Sequence, residues 1–138
     1  MSIYSTFGTN KELEKNGAWV EIDNHTRFLI ARIGTVGCEY DKLLRVVTKP
    51  HRRAIENESI SPELVTKITT ETFAKTAVLN WQGVKDEEGN DIQFSKENAV
   101  KLLSDLPELA DILITFARDF QNYRREQLEE DSKNFGTA

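Results

Sequence analysis

Pro107-Glu108-Leu109-Ala110-Asp111-Ile112-Leu113-Ile114-Thr115-Phe116-Ala117-Arg118-Asp119-Phe120-Gln121-Asn122-Tyr123 is the stretch that decides the fold class. Leu109, Ile112, Leu113, Phe116, Phe120 and Tyr123 recur three or four residues apart. At 3.6 residues per turn that spacing lays a continuous apolar stripe along a helix of about four turns. Past Tyr123 the run Arg124-Arg125-Glu126-Gln127-Leu128-Glu129-Glu130-Asp131 is polar almost all round, so the helix is expected to leave the core there. Core packing accounts for residues 109–116. Phe120, Tyr123 and Leu128 lie where the charge begins and are the candidate partner-contact residues, because aromatic side chains are enriched at interfaces.

Working back from that helix, Pro107 marks the break from a preceding one that Ser95 caps and that carries Val100, Leu102, Leu103 and Leu106. Residues 81–94 hold Gly83, an acidic Asp86-Glu87-Glu88-Gly89 turn and the flanking Val84, Ile92 and Phe94, which predicts a loop or small hairpin. Ser61 followed by Pro62 starts a further helix with an expected stripe of Val65, Ile68, Thr72 or Phe73, Thr76 and Leu79. Its threonines weaken helix propensity, so it depends on tertiary packing. Tyr40, Leu43, Leu44 and Val47 give another helix, ending near Pro50.

The N-terminal third differs in kind. Ala18-Trp19-Val20-Glu21-Ile22 and Phe28-Leu29-Ile30-Ala31-Arg32-Ile33 are rich in β-branched and aromatic residues and are separated by the turn-forming Asp23-Asn24. A hairpin alone is marginal in water, so this one must pack on the helices or on another chain. The expectation is a mainly helical α+β protein: a single helical domain over residues 18–131 with a β-hairpin at 18–33 and a long C-terminal helix. Residues 1–17 are polar and lack sustained periodicity, which reads as a flexible arm; 132–138 read as a flexible tail.

Composition narrows the chemistry. A chain of 138 residues with 38% hydrophobic and 30% charged side chains suits one globular domain. Its formal charge of −5 repels phosphate backbones and anionic lipid. With a single cysteine, Cys38, no intramolecular disulfide can form, and residues 1–15 lack the apolar run of a signal peptide, so a reducing cytoplasm is expected. The apolar run at 110–117 is far shorter than the roughly 20 residues a membrane span needs.

A tetrahedral metal site needs converging Cys, His or carboxylate ligands, whereas this chain offers Cys38, His25 and His51 in separate places. Placing Gly89 at the sixth position of a calcium loop puts Val84 at the first ligand position and Ser95 at the twelfth, which fails. No Gly-rich phosphate loop occurs, and no serine or cysteine is nominated as a nucleophile beside a base. The expectation is therefore a protein without catalytic residues, metal or cofactor. Lys49-Pro50-His51-Arg52-Arg53, with Arg45 one turn earlier, is the best nucleic-acid candidate; lacking interleaved aromatics in an acidic chain, it is better suited to acidic side chains.

Three stretches together carry a family resemblance: Phe7-Gly8-Thr9-Asn10-Lys11-Glu12-Leu13-Glu14 leading into Trp19-Val20-Glu21-Ile22; Asn80-Trp81-Gln82-Gly83-Val84 followed by Glu88-Gly89 and Phe94-Ser95-Lys96-Glu97-Asn98; and Asp105-Leu106-Pro107-Glu108-Leu109. They resemble the tail assembly chaperones of long-tailed bacteriophages, over most of the chain. The resemblance implies a small helical protein of the host cytoplasm, absent from the finished virion, that binds the tape measure protein and the tail tube protein. It supplies no catalytic residues. Such chaperones are often made in two lengths by ribosomal frameshifting, and Ser132-Lys133-Asn134 is compatible with a slippery heptamer. Two other readings compete. One is a structural virion component, a minor tail or head-tail connector protein whose hairpin pairs with neighbouring subunits; the other is a small nucleic-acid-binding regulator using Arg45, Lys49, Arg52 and Arg53. Self-association into a homo-oligomer is compatible with all three.

Overall fold

Asp23 closes the hairpin. Its Oδ1 accepts the backbone N–H groups of His25 and Thr26, each at 2.8 Å, and the turn joins β1 (Ala18–Glu21) to β2 (Arg27–Ile30). The computed structural model describes residues 2–124. A third strand, β3 (Val78–Gln82), completes an antiparallel sheet in the order β1-β2-β3. The pairing of β2 with β3 slips between Leu29 and Ile30, so that Asn80 faces Leu29 but Val78 faces Ile30. The extra residue, Leu79, lets Val78 and Trp81 both turn toward the core although they are three positions apart, which a regular period of two forbids.

Short helices α1 (Ile3–Phe7) and α2 (Lys11–Asn16) precede the sheet. After it come α3 (Glu39–Thr48), a 3-10 turn at Lys49–His51, α4 (Arg52–Glu56) and α5 (Pro62–Thr76). Then α6 (Lys96–Asp105) and α7 (Pro107–Arg118) follow β3, and a 3-10 turn at Phe120–Tyr123 comes last. The mainly helical α+β class stands. Caps explain several starts: Ser61 Oγ accepts from Leu64 N at 3.1 Å with Pro62 in the first turn, and Ser95 Oγ accepts from Asn98 N at 3.0 Å. Replacing Ser95 with Ala should cost about 1 kcal/mol in denaturant unfolding, the usual loss when an N-cap oxygen is removed.

One core unites these elements. Phe28 and Ile30 of β2 pack with Phe73 and Ala74 of α5, Leu103 of α6 and Leu113 of α7. Trp81 is its anchor: the indole Nε1 donates to the Ile92 carbonyl at 2.8 Å, and the ring meets Phe28 and Phe94 edge-on at 5.8 and 5.2 Å. Residues 81–94 thus form the small hairpin-like loop expected, closed by the Asp86 carboxylate, which accepts from the backbone N–H groups of Glu88 and Asn90. Lys96 Nζ reaches back to the Val78 carbonyl at 2.6 Å, and partial burial lowers its pKa from the ordinary lysine value.

Three expectations need correction. The α5 stripe was drawn through Val65 and Leu79, but Val65 is exposed and Leu79 lies in β3; the buried residues of this helix are Thr70, Thr72, Phe73 and Ala74. The helix stops because the Ala77 carbonyl accepts from Ala31 N, at 2.8 Å, and Val78 pairs with Ile30. In the C-terminal helix the deepest face is Ala110, Leu113 and Ala117, while Ile112 is exposed. That helix ends at Arg118, not beyond Tyr123. Asp119 takes an extended conformation and its Oδ1 accepts from Gln121 N at 3.0 Å, the local side-chain bond by which Asp competes with helix.

The third correction concerns residues 2–17, read as an exposed arm. Asn10 caps α2 by accepting from Leu13 N at 3.0 Å, and Leu13 is buried against Ala18 and Tyr123. Asn10 N donates to the Tyr123 carbonyl at 2.8 Å, Thr9 bridges Arg124, and Phe7 meets the Phe120 ring at 5.4 Å. Glu14 holds Arg32 at 3.3 Å and also accepts from the Thr9 hydroxyl. The N-terminal segment is thereby packed on the end of the C-terminal one. Residues 132–138 lie outside the described residues.

Candidate protein-binding surface

The residues nominated for partner contact separate. Tyr123 is 0% exposed, and its hydroxyl donates to the Ile30 carbonyl at 3.0 Å, so it serves the core. This contradicts a contact role, and its cause is the break at Asp119, which turns the chain back onto α2 and β1. Phe120 is half-buried against Phe7 and keeps a partly open ring. Leu128 lies outside the described residues.

Outward-facing apolar side chains occur elsewhere. The segment from α3 through the 3-10 turn to α4 runs as one continuous helical rod, with Pro50 in the turn. Tyr40 of α3 is buried and meets Phe73 edge-on at 6.4 Å, fixing the rod's root to α5. Its far end, α4, packs chiefly on the turn before it. One side of the rod carries a groove of about 530 Å³ lined by Val46 and Ile55, with Arg45, Lys49, Arg52 and Glu56 around them. Val46 is 66% exposed and Ile55 43%.

Arg45, Lys49 and Arg52 of the basic cluster therefore rim an apolar groove, whereas Arg53 is not among its lining residues. Val46 stands next to Val47 in a helix, where neighbouring positions point about 100° apart and only one can face the body. That was the available signal. Arg45 reaches Asp41 at 3.2 Å and Arg52 reaches Glu56 at 3.4 Å, both exposed pairs four residues apart. No ion pair to Lys49 or Arg53 occurs among the described residues.

A second cleft, of about 540 Å³, lies between α2 and the start of α3. Ion pairs Glu14–Arg32 and Glu39–Lys42 stand along its walls. Cys38 there caps α3, its Sγ accepting from Asp41 N at 3.4 Å, and the thiol is half-buried as expected of a packing residue. His25 is exposed in the hairpin turn, and His51 is partly exposed in the 3-10 turn of the rod. Among the described residues no helix is long and apolar enough to cross a membrane.

The architecture is that of a small α+β protein: a three-stranded antiparallel sheet built into a helical body, with the α3–α4 rod packed through α3 on α5. The chain belongs to the YdaY prophage protein family, whose model matches residues 33–134, and it is thus phage-derived. That span takes in the rod, β3 and the Trp81 loop. Comparison with curated proteins and with solved structures returned no match.

Proposed function

We propose that the protein is a tail assembly chaperone, holding the tape measure protein and tail tube subunits through noncovalent contacts in the host cytoplasm and leaving before the virion is complete. The observation that carries this reading is the exposure of apolar side chains on the helices of an acidic prophage protein, foremost Val46 and Ile55 on the rod, with Leu106 and Ile112 on the C-terminal pair. Apolar surface of this kind can cover the hydrophobic helices of a client while net charge keeps the complex in solution. The sequence resemblance points the same way, through a middle motif whose Trp81 and Gly83 serve the fold.

Co-expression tests the proposal. The tape measure protein of the same prophage should move from the pellet to the supernatant when this chain is present, and substituting Val46 and Ile55 together with serine should return much of it to the pellet. A client that stays in the pellet beside well-folded wild-type chain counts against the chaperone role. The virion-component reading has one observation in its favour: β1 is an edge strand, open to pairing with another subunit. Proline at Glu21 separates the two readings: Ile22 N donates to the Thr26 carbonyl across the hairpin, so the Glu21 N–H faces the open edge, and its loss should block such pairing and leave client solubility intact.

A further inference from the structure

We infer that the groove along α3 and α4 is a docking site for an acidic amphipathic helix of a partner protein, with leucine-like side chains seated on Val46 and Ile55 and carboxylates meeting Arg45, Lys49 and Arg52. This rests on the proposed function only in taking the partner to be a protein. Three observations converge on it. The groove is lined by Arg45, Lys49 and Arg52 against one acid, Glu56, in a chain whose formal charge is −5, so the rim opposes the sign of the whole molecule. A carboxylate-rich partner is drawn to this rim and repelled elsewhere.

The second observation is the availability of the charges. Lys49 lacks an ion pair among the described residues, and the Arg45–Asp41 and Arg52–Glu56 pairs are exposed, so exchanging their partners costs little. The third is the isolation of α4. It has five residues and packs chiefly on the adjoining turn, whereas isolated helices shorter than about 12 residues are marginal in water. A helix laid along Val46 and Ile55 would supply the missing face. Duplex DNA suits the groove less well, since apolar side chains stand between the cations and two of its three cations already hold carboxylates.

The test uses the full chain and a labelled synthetic peptide of about five helical turns, with leucines on one face and glutamates flanking them. Fluorescence anisotropy should show saturable binding, and hydrogen exchange at the α4 amides should slow in the complex. Replacing Arg45 and Lys49 together with Glu, or Val46 and Ile55 together with Ser, should each weaken binding roughly tenfold, equivalent to about 1.4 kcal/mol. All four positions are on the surface, and circular dichroism checks that the variants fold.

Absence of binding overturns the inference, as does binding that neither pair of substitutions changes. Competition by duplex DNA, with loss on charge reversal and none on the serine substitutions, would assign the face to nucleic acid. Sedimentation showing self-association that the same substitutions abolish would assign it to a second copy. A client kept in solution without peptide binding would leave the proposed function standing and remove the groove from it. Peptide binding without client solubilisation would do the reverse.

Discussion

Tyr123→Ala should destabilise the protein by about 3–5 kcal/mol, the range for removing a large aromatic side chain from a closed core. The ring is fully buried, lies 6.0 Å from Phe116, and closes a cluster with Leu13 and Ala18. For a chain of this size the loss corresponds to a fall in Tm of roughly 10–20 °C in calorimetry. Tyr123→Phe isolates the hydroxyl, whose bond to the Ile30 carbonyl it removes, and should cost about 1–2 kcal/mol. Retention of wild-type stability in the alanine variant would mean that the chain end does not pack as described.

The same residue sets a pH limit. Burial pushes the Tyr123 pKa well above the ordinary tyrosine value of 10.0, and burial also raises that of Tyr40. A raised folded-state pKa gives stability that is fully present below pH 10, where the unfolded chain also keeps its proton. That stability is lost as pH rises above 10 toward the folded value, because only the unfolded state releases the proton readily. The slope from one such group approaches about 1.4 kcal/mol per pH unit. Tyr123→Phe should flatten the alkaline decline measured by urea unfolding between pH 9 and roughly pH 11.

The second large effect is at Gly83. Its φ is +76°, and a Cβ built there would stand 1.8 Å from the His25 carbonyl oxygen, so the end of β3 meets the hairpin turn backbone to backbone. Thr26 strengthens that junction by donating from its hydroxyl to the Gly83 carbonyl at 3.2 Å. Gly83→Ala combines left-handed strain with a clash against main chain, and should cost about 3 kcal/mol or more. Gly89 offers a matched control: its φ is +86° but nothing lies within 4 Å of the added Cβ, so Gly89→Ala should show the strain without the clash. Equal losses at the two positions would remove the hairpin contact from the explanation.

Much of this was legible in the residues, and the failures have identifiable causes. The hairpin, the Ser61 and Ser95 caps and the break at Pro107 rest on short-range chemistry, which sequence carries directly. β3 was hidden because Val78 and Leu79 continue the helical spacing of α5, and only pairing with β2, nearly 50 residues earlier, makes them a strand. The burial of α2 escaped because six residues are too few to display a period, although Asn10 and Gly17 flank them as start and stop signals. In α7, the large apolar residues drew the predicted stripe while small alanines took the deepest positions, since close helix packing favours side chains that let backbones approach.

The binding surface was half visible. The cations at 45–53 stood out as a cluster, but the groove that Val46 and Ile55 share with Arg45, Lys49 and Arg52 depends on the helical path continuing through the 3-10 turn past Pro50, where the spacing predicts the helix to end. Tyr123 misled because the helical spacing runs on through Asp119, where the chain in fact turns back; Phe120 stays half-buried. Aromatic residues at the edge of a charged run suit an interface or a folded-back core residue equally, and backbone geometry decides between them.

Quantifying this chain in purified tail-bearing particles from an induced lysogen, beside the same measurement on the lysate, tests the chaperone role most directly. The expected result is abundant protein in the lysate and none retained in the particles. Stoichiometric copies in mature particles would contradict it and make the protein a structural component.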